Sequence, residues 1–285
     1  MLDQWIIDNS NDLQVILFFA LFGILAAVEL LAPRRTGKTR RRRWIANLSL
    51  TALNIVVLSL LPVTFFATAV WAQGRGVGLL SLVALPAVVL LLCTLLGRAF
   101  VSFFTHWLMH RVPLLWRLHR VHHLDTEMDV STTVRLHPIE FVVNLAVGVP
   151  VVAFFGVSPW VLLLYEVLDV CVTLFSHANI SLPPALERVV RTIIVTPDLH
   201  RVHHSSRQSE TDSNFGAVFP IWDMLLGTFR TDTRQPQDVM ELGLEDIRDQ
   251  RTDNLLWLLT SPAKAHLDAD EPSDFNQPTP GKESS

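Results

Sequence analysis

Histidines are the residues of this sequence whose type and spacing could do chemistry. Ten of the eleven histidines lie within residues 106–204, and eight of them form three clusters with the spacings HxxxH, HxxHH and HxxHH. Residues three and four apart share one face of a helix, so each cluster can aim its imidazoles at one place. Neutral imidazole is a good ligand for zinc, iron, copper or nickel. The clustered residues are His106, His110, His119, His122, His123, His200, His203 and His204.

Eight imidazoles exceed the four ligands that a structural zinc ion takes, so the clusters predict two metal ions. The repeat of HxxHH on two segments suits a two-metal site. Two further candidate ligands are His137, in the segment RLHPIE, and His177, which ends an apolar run. For His137 the spacing alone leaves the choice between a ligand and a structural residue open.

Acidic residues near the clusters are candidates to orient the ligand imidazoles. Asp169 lies eight residues before His177, on the same face of a helix, and could accept the outer N–H of that imidazole. Asp198, close to His200, could act in the same way or be an exposed cap. Ionisable residues within an apolar run are costly and mark function by default, which applies to Asp169 and Glu166. Pairing with Arg98 is the alternative for both.

Composition places these residues in a membrane protein. Half of the sequence is hydrophobic, and its mean hydropathy of +0.35 exceeds that of ordinary soluble proteins. The basic segment Pro33–Arg43, with seven basic residues in eleven, lies between long apolar runs. Such a position favours membrane orientation over binding of nucleic acid, which we do not expect. The two cysteines form no spaced motif, so no redox or disulfide role is expected for them.

Five apolar runs predict an all-α integral membrane protein of four to five transmembrane or re-entrant helices. The last two runs have about seventeen residues, the lower limit for a span, so full crossing and re-entry both stay open. The positive-inside rule puts residues 33–43 in the cytoplasm. Alternate crossings then put every histidine cluster on that side, as a helical cytoplasmic cap. The runs are Gln14–Ala32, Ala46–Trp71, Leu79–Phe104, Ile139–Phe155 and Pro159–Phe175.

Three regions follow from this pattern. Residues 1–78 are expected to form the N-terminal membrane helices, and residues 79–230 the catalytic domain. Residues 231–285 are an acidic C-terminal tail, expected to be disordered from Ser261 onward because they are rich in Pro, Asp, Glu and Ser. The segment Phe215–Phe229 is predicted to lie against the membrane or to cap the site. Within it, Trp222 is expected at the interface and Asp223 in a capping or pairing role.

The ordered motifs HxxxH, HxxHH, RxHPxE, a lone histidine after a helical hairpin, TPxxHxxHH and WDxxxGT resemble the fatty acid hydroxylase/sterol desaturase superfamily. They occupy His106–His110, His119–His123, Arg135–Glu140, His177, Thr196–His204 and Trp222–Thr228. Some members have a paired HxxxH where this chain has only His177, followed by Asn179 and Ser181. His137 or Asn179 is therefore expected to complete the shell of the second metal, directly or through water.

The resemblance implies a membrane non-haem di-iron enzyme that uses dioxygen to hydroxylate or desaturate a lipid. It implies two iron ions and a separate electron donor, such as a cytochrome b5-like protein, a ferredoxin or a reductase. Fatty acyl, sterol and ether lipids are the substrates that this reading allows, with hydroxylation preferred. The alternative is a membrane di-zinc hydrolase of a lipid ester or phosphate, whose bridging hydroxide would attack without oxygen.

Overall fold

Helices make up the regular structure of the part of the chain that the computed structural model describes, residues 9–37, 40–265 and 267. The long helices are α1 (Ser10–Leu31), α2 (Arg40–Leu60), α3 (Phe65–Arg75), α4 (Ala87–Arg111), α5 (Pro113–His123), α6 (Pro138–Phe155) and α7 (Pro159–His177). Shorter helices follow: α8 (Pro184–Val190), α9 (Pro197–His203), α10 (Gln208–Thr211), α11 (Ile221–Leu226) and α12 (Leu255–Thr260). The fold is therefore all-α, as predicted.

Five stretches of the described chain are long and apolar enough to cross a membrane. They are Asp12–Leu31, Arg41–Leu82, Ala87–Arg111, Pro138–Phe155 and Pro159–His177. Only 11 to 39 % of the residues in the 18-residue apolar window of each stretch are buried inside the protein. Because exposed apolar surface of this extent favours lipid over water, the chain is a multi-pass membrane protein.

The second apolar run is not one straight helix, contrary to the expectation for Ala46–Trp71. Helix α2 ends at Leu60, and α3 begins at Phe65. Pro62 lies in the break, where its missing N–H and its ring would disrupt a continuing helix. The side chain of Thr64 then caps α3 by accepting a hydrogen bond from the Ala67 N–H at 3.0 Å. A bent stretch therefore replaces the expected single span.

The helical hairpin α6–α7 reaches the loop that follows α3. Gly156 ends α6 with a positive φ of 63°, and Gly78 has a φ of 121°. A Cβ on Gly78 would lie only 2.2 Å from the Gly156 Cα, so the two loops touch closely and glycine is required at both places. The loop between α6 and α7 is thus packed against the loop that follows α3.

The basic segment lies on the same side as the histidines. The Arg34 N–H donates to the Asn179 carbonyl at 2.8 Å, and the Arg35 N–H donates to Asn179 Oδ1 at 3.1 Å. The Arg34 guanidinium also forms an ion pair with Asp198, two residues before His200. The backbone after α1 is therefore tied to the segments that carry His177 and His200.

A buried ion-pair network connects α2 to the loop after α5. Arg43, 1 % exposed, donates to both carboxylate oxygens of Asp125 at 2.5 and 2.9 Å and to Asp129 at 3.1 Å. Arg135 continues the network by donating to the Val121 carbonyl at 2.8 Å and to Asn47 Oδ1 at 3.0 Å. These bonds fix the last turn of α5, which carries three histidines.

The C-terminal region is ordered beyond the expected boundary at Ser261. Residues 261–263 form a short 3₁₀-helix, and Ser261 is buried. The buried Arg120 of α5 donates to the carbonyls of Ser261 and Lys264 at 2.6 and 2.7 Å. These charge-assisted bonds hold the backbone from Ser261 to Lys264 in place, so the expectation of disorder from Ser261 onward is wrong for these residues. Its remainder, residues 266 and 268–285, lies outside the described residues.

We predict that Arg43→Met destabilises the protein strongly. The substitution leaves the buried Asp125 carboxylate without its main cation, which costs about 3–5 kcal/mol. The thermal unfolding midpoint of the detergent-purified protein would measure this. Arg42→Met is the matched control, because Arg42 is exposed and its hydrogen bond to Gln250 at 2.8 Å is exposed as well. Equal midpoints for the two variants would contradict the prediction.

Candidate metal centre

Nine histidines converge in two adjacent groups. In each group the ligand nitrogens all lie within 4.8 Å of one another. Group A contains His106, His110, His119, His123 and His203, and group B contains His122, His177, His200 and His204. The rings of His123 and His204, one from each group, stack at 4.7 Å with an interplanar angle of 20°. Two metal ions could therefore be held close together.

Each HxxHH helix supplies ligands to both groups. On α5, His119 and His123 lie in group A, whereas His122 lies in group B. On the α9 segment the assignment is reversed, since His200 and His204 lie in group B and His203 in group A. The first and last histidines of HxxHH are four residues apart and point only about 40° apart around a helix. The middle histidine points about 60° away from the first and about 100° away from the last. The HxxHH spacing thus divides one cluster between two sites.

The ring nitrogens of group A face one another as ligands would. His106 Nε2 lies 3.0 Å from His119 Nε2, and His123 Nε2 lies 3.2 Å from the same atom. The Nδ1 atom of His106 lies 2.8 Å from the Phe215 carbonyl, and Nδ1 of His119 lies 2.9 Å from Glu140 Oε1. A carbonyl and a carboxylate accept, so each Nδ1 carries the proton and Nε2 presents a lone pair. Facing lone pairs fit a cation between them.

Group B has the same arrangement around His177. The His177 Nε2 lies 3.2 Å from His122 Nε2 and 3.0 Å from His200 Nε2. The His177 Nδ1 donates to the Thr173 carbonyl at 2.7 Å, one helical turn earlier on α7. The Nε2 of His204 is buried and has no hydrogen-bond partner. This orphaned nitrogen also fits a metal ion, because a buried polar atom without a partner is costly.

The outer acceptors differ from those expected. His203 Nδ1 donates to the Ser213 carbonyl at 2.7 Å, and His110 Nδ1 lies 3.3 Å from Asp212 Oδ1. Glu140, the last residue of RLHPIE, holds His119. Neither Asp212 nor Glu140 was expected to contact a ligand, because both are far from their histidines in sequence. Such contacts fix the orientation of a ligand ring and raise its basicity.

The structure does not bring His137 to either group. Its Nε2 donates to the Leu259 carbonyl at 3.2 Å, and its Nδ1 accepts from the Ile139 N–H at 3.2 Å. Both ring nitrogens are thus engaged with backbone, and the residue is the N-cap of α6. Of the two readings that the sequence left open, the structural one describes His137.

The other predicted supporting residues also lie away from the imidazoles. Asp169 does not hold His177, whose Nδ1 is taken by the nearer carbonyl of Thr173. Asp198 accepts from Arg34 and Arg201, and Asn179 bonds to the backbone of Arg35. Helix or loop geometry therefore turns each of these polar groups toward a partner other than a metal ligand.

The segment after α10 closes the centre. Asp223 accepts from the N–H groups of Phe215 and Gly216, both at 2.8 Å, and from the Thr228 hydroxyl at 2.7 Å. These bonds hold the loop whose Phe215 carbonyl binds His106. The Trp222 indole donates to the Leu96 carbonyl of α4 at 3.0 Å. The segment therefore caps the site, which is one of the two placements expected for it.

Burial lowers the pKa values of five clustered histidines that lie outside the membrane stretches. Desolvation and neighbouring imidazoles lower the pKa values of His122, His123, His200 and His204 well below 6.5. For His203, the same causes lower the pKa to about 3. Since metal binds the neutral imidazole, the site is ready to bind without losing protons at neutral pH.

Two overlapping cavities lead to the histidines. The inner cavity, at the histidines, has a volume of about 310 Å³. This inner cavity is bordered by His106, His119, His122, His177 and His200. An apolar outer cavity of about 580 Å³ lies between α1, α2, α3, α6 and α7. The two share Phe65, Thr133, Leu136, Phe141 and Asn144, so they are contiguous.

The fold and site thus define an all-α, multi-pass membrane protein with two histidine groups that can hold metal ions. Residues 91–228 match the family model described as fatty acid hydroxylase. This segment contains both groups, and the match confirms the resemblance drawn from the histidine motifs. No solved structure matches the chain significantly.

Curated relatives share the same segment. Ornithine lipid hydroxylase OlsE of Rhizobium tropici is 33 % identical over 132 residues, 46 % of this chain and 39 % of the relative. Human alkylglycerol monooxygenase is 26 % identical over 142 residues, 49 % of this chain and 30 % of the relative. Human cholesterol 25-hydroxylase is 30 % identical over 130 residues, 45 % of this chain and 47 % of the relative. The match spans less than half of each of these relatives.

We predict that metal content separates the two groups. Wild-type protein should hold about two metal ions, because each group offers at least four imidazoles. His122→Ala leaves three imidazoles in group B and should lose about one ion, whereas His110→Ala leaves four in group A and should keep both. Elemental analysis of the purified proteins measures the ratio. His137→Ala is the control, and loss of metal from it would contradict the assignment.

The lowered pKa values predict that the metal-free protein loses stability in acid. Unfolded imidazoles take up protons near their usual pKa of 6.5, whereas the buried ones stay neutral to lower pH. As the pH falls from about 7 to about 5, each such histidine costs up to about 1.4 kcal/mol per pH unit. Thermal unfolding of the chelator-treated protein tests this. A midpoint that stays constant or rises over this range would refute it.

Proposed function

We propose that this chain is a membrane oxidoreductase that uses dioxygen and two iron ions to hydroxylate a C–H bond of a lipid. The observation that carries the proposal is the pair of histidine groups at the inner end of a cavity that continues into an apolar cavity between membrane helices. The names of the relatives, lipid hydroxylases and monooxygenases, support hydroxylation over desaturation.

The chain's own residues would bind and orient the reactants. Nine imidazole nitrogens would hold the two ions, with group A and group B each taking one. Bound iron would supply the oxidising power needed to break an unactivated C–H bond, which side-chain acid–base chemistry cannot supply. The apolar walls around Phe65 and Phe141 would hold the lipid chain and exclude water. One oxygen atom would end in the lipid hydroxyl and the other in water, with two electrons and two protons added.

Glu140 is the group best placed to handle a proton at the site. Its Oε1 accepts from His119 Nδ1 at 2.9 Å. Its Oε2 is buried without a hydrogen-bond partner, and the residue borders the inner cavity. That oxygen can take a proton from a water molecule in the cavity or deliver one to it, while Oε1 keeps the imidazole oriented.

Electrons would come from a separate one-electron carrier protein. Among the described residues the two cysteines, Cys93 and Cys171, are free, and two are fewer than the four ligands of an iron–sulfur cluster. The cytoplasmic face is our proposed location for the histidines. Its support is the basic segment around Arg34 and Arg35, which is bonded to residues beside the ligands.

We predict that the protein loaded with ferrous iron inserts one atom of labelled dioxygen into a membrane lipid when a reductant is present. Lipids extracted after incubation with ¹⁸O₂ are analysed by mass spectrometry. His200→Ala should abolish the product because it removes a group B ligand. His137→Ala, outside both groups, should retain it. Lipid cleavage without oxygen by a zinc-loaded protein would instead establish the hydrolase and overturn the proposal.

A further inference from the structure

A polar stripe runs from the histidines into the membrane interior along two facing helices. On α4, Ser102 and Arg98 precede His106 by four and eight residues, so Arg98 lies about 12 Å from His106 along the helix axis. On α7, Asp169 precedes His177 by eight residues and lies about as deep. Ser102, Arg98 and Asp169 all border the inner cavity. The wall of this cavity is therefore polar at mid-membrane depth.

Arg98 is held in a defined position. Its guanidinium carbon lies 4.8 Å from the centre of the Phe65 ring and 5.0 Å from that of Tyr165, and its Nη1 donates to Ser102 Oγ at 2.8 Å. The Tyr165 hydroxyl donates to the same Ser102 oxygen at 3.3 Å, which joins α7 to α4. Contacts with two aromatic faces stabilise a cation in an apolar setting.

Hydrogen-bonding capacity remains unused on both charged residues. Arg98 Nε and Asp169 Oδ1 are buried and have no hydrogen-bond partner. Among the ion pairs of the described residues, none joins Arg98 to Asp169. Charged groups inside a membrane are costly and are ordinarily paired, so an orphaned donor and acceptor beside a cavity indicate a ligand.

We propose that Arg98 and Asp169 form a subsite that binds a hydroxyl group of the lipid substrate. A guanidinium only donates and a carboxylate only accepts, whereas a hydroxyl does both and so complements the pair. This inference rests on the proposed function and names its substrate class: a lipid that carries a hydroxyl group in addition to the carbon presented to the histidines. The remaining apolar part of the lipid occupies the outer cavity, reached past Phe65 and Phe141.

Binding of three labelled probes to the whole 285-residue chain in detergent tests the subsite. The probes are hexadecan-1-ol, hexadecyl methyl ether and hexadecane, measured by scintillation proximity. We expect wild-type protein to bind the alcohol about tenfold more tightly than the ether, because the ether cannot donate to Asp169, and the alkane more weakly still. Asp169→Leu should reduce the preference for the alcohol over the ether about tenfold. Arg98→Met should reduce the preference for the alcohol over the alkane about tenfold, because both the alcohol and the ether oxygen can accept from the guanidinium.

Thr94→Val is the matched control. Thr94 is buried on α4 one turn before Arg98, its hydroxyl also has no partner, and it borders neither cavity. Its variant should keep the wild-type preference. The thermal unfolding midpoint shows whether each variant folds; if Arg98→Met does not, Asp169→Leu and Arg98→Lys decide, and Arg98→Lys should keep a cation and part of the preference.

Equal affinities of wild-type protein for the alcohol and the ether, or an unchanged preference in Asp169→Leu, would overturn the subsite. This readout requires no turnover. Selective binding by a protein that oxidises no lipid would keep the subsite and refute the proposed reaction, whereas lipid oxidation without selective binding would do the reverse.

Discussion

The structure depends on holding nine imidazoles with their metal-binding nitrogens facing inward. Close lone pairs repel one another, so outer hydrogen bonds that fix the rings help to hold this arrangement. His106, His177 and His203 are fixed by backbone carbonyls, which cannot rotate away as side chains can. His119 is fixed by a carboxylate that is itself buried. Outer acceptors therefore orient these four rings toward the two groups.

This requirement couples the membrane helices to the shorter helices that carry histidines. Helix α5 is too short to hold three imidazoles by its own stability, since isolated helices of this length are marginal. Arg43 and Arg135 fix it from α2 and from the loop after it, and Arg120 fixes it to the C-terminal region. A protein region without catalytic groups of its own, residues 9–60, therefore helps to determine the geometry of the histidines.

The sequence was sufficient for the fold class and for the clustering of the histidines, because both follow from periodicity within single helices. It was not sufficient for the contacts between segments. That His122 and His123 belong to different groups depends on where α7 and α9 lie, and so does the pairing of Asp212 with His110. Local spacing likewise suggested Asp169 as the acceptor for the His177 Nδ1–H. The Thr173 carbonyl of the same helix takes that hydrogen bond instead. The break at Pro62 could have been anticipated from the residue type alone.

The two sides of the metal centre differ in a way that restricts how a substrate can approach. The inner cavity touches His106 and His119 of group A and His122, His177 and His200 of group B, so both groups are open to it. On another side, the Trp116 ring packs 5.0 Å from His110 and 5.5 Å from His123, neither of which borders that cavity. A large aromatic ring there shields the ligands from solvent, whereas the cavity side is left open toward the membrane helices. Under the proposed function, a lipid would therefore reach both groups from the membrane side, along the polar stripe of α4 and α7.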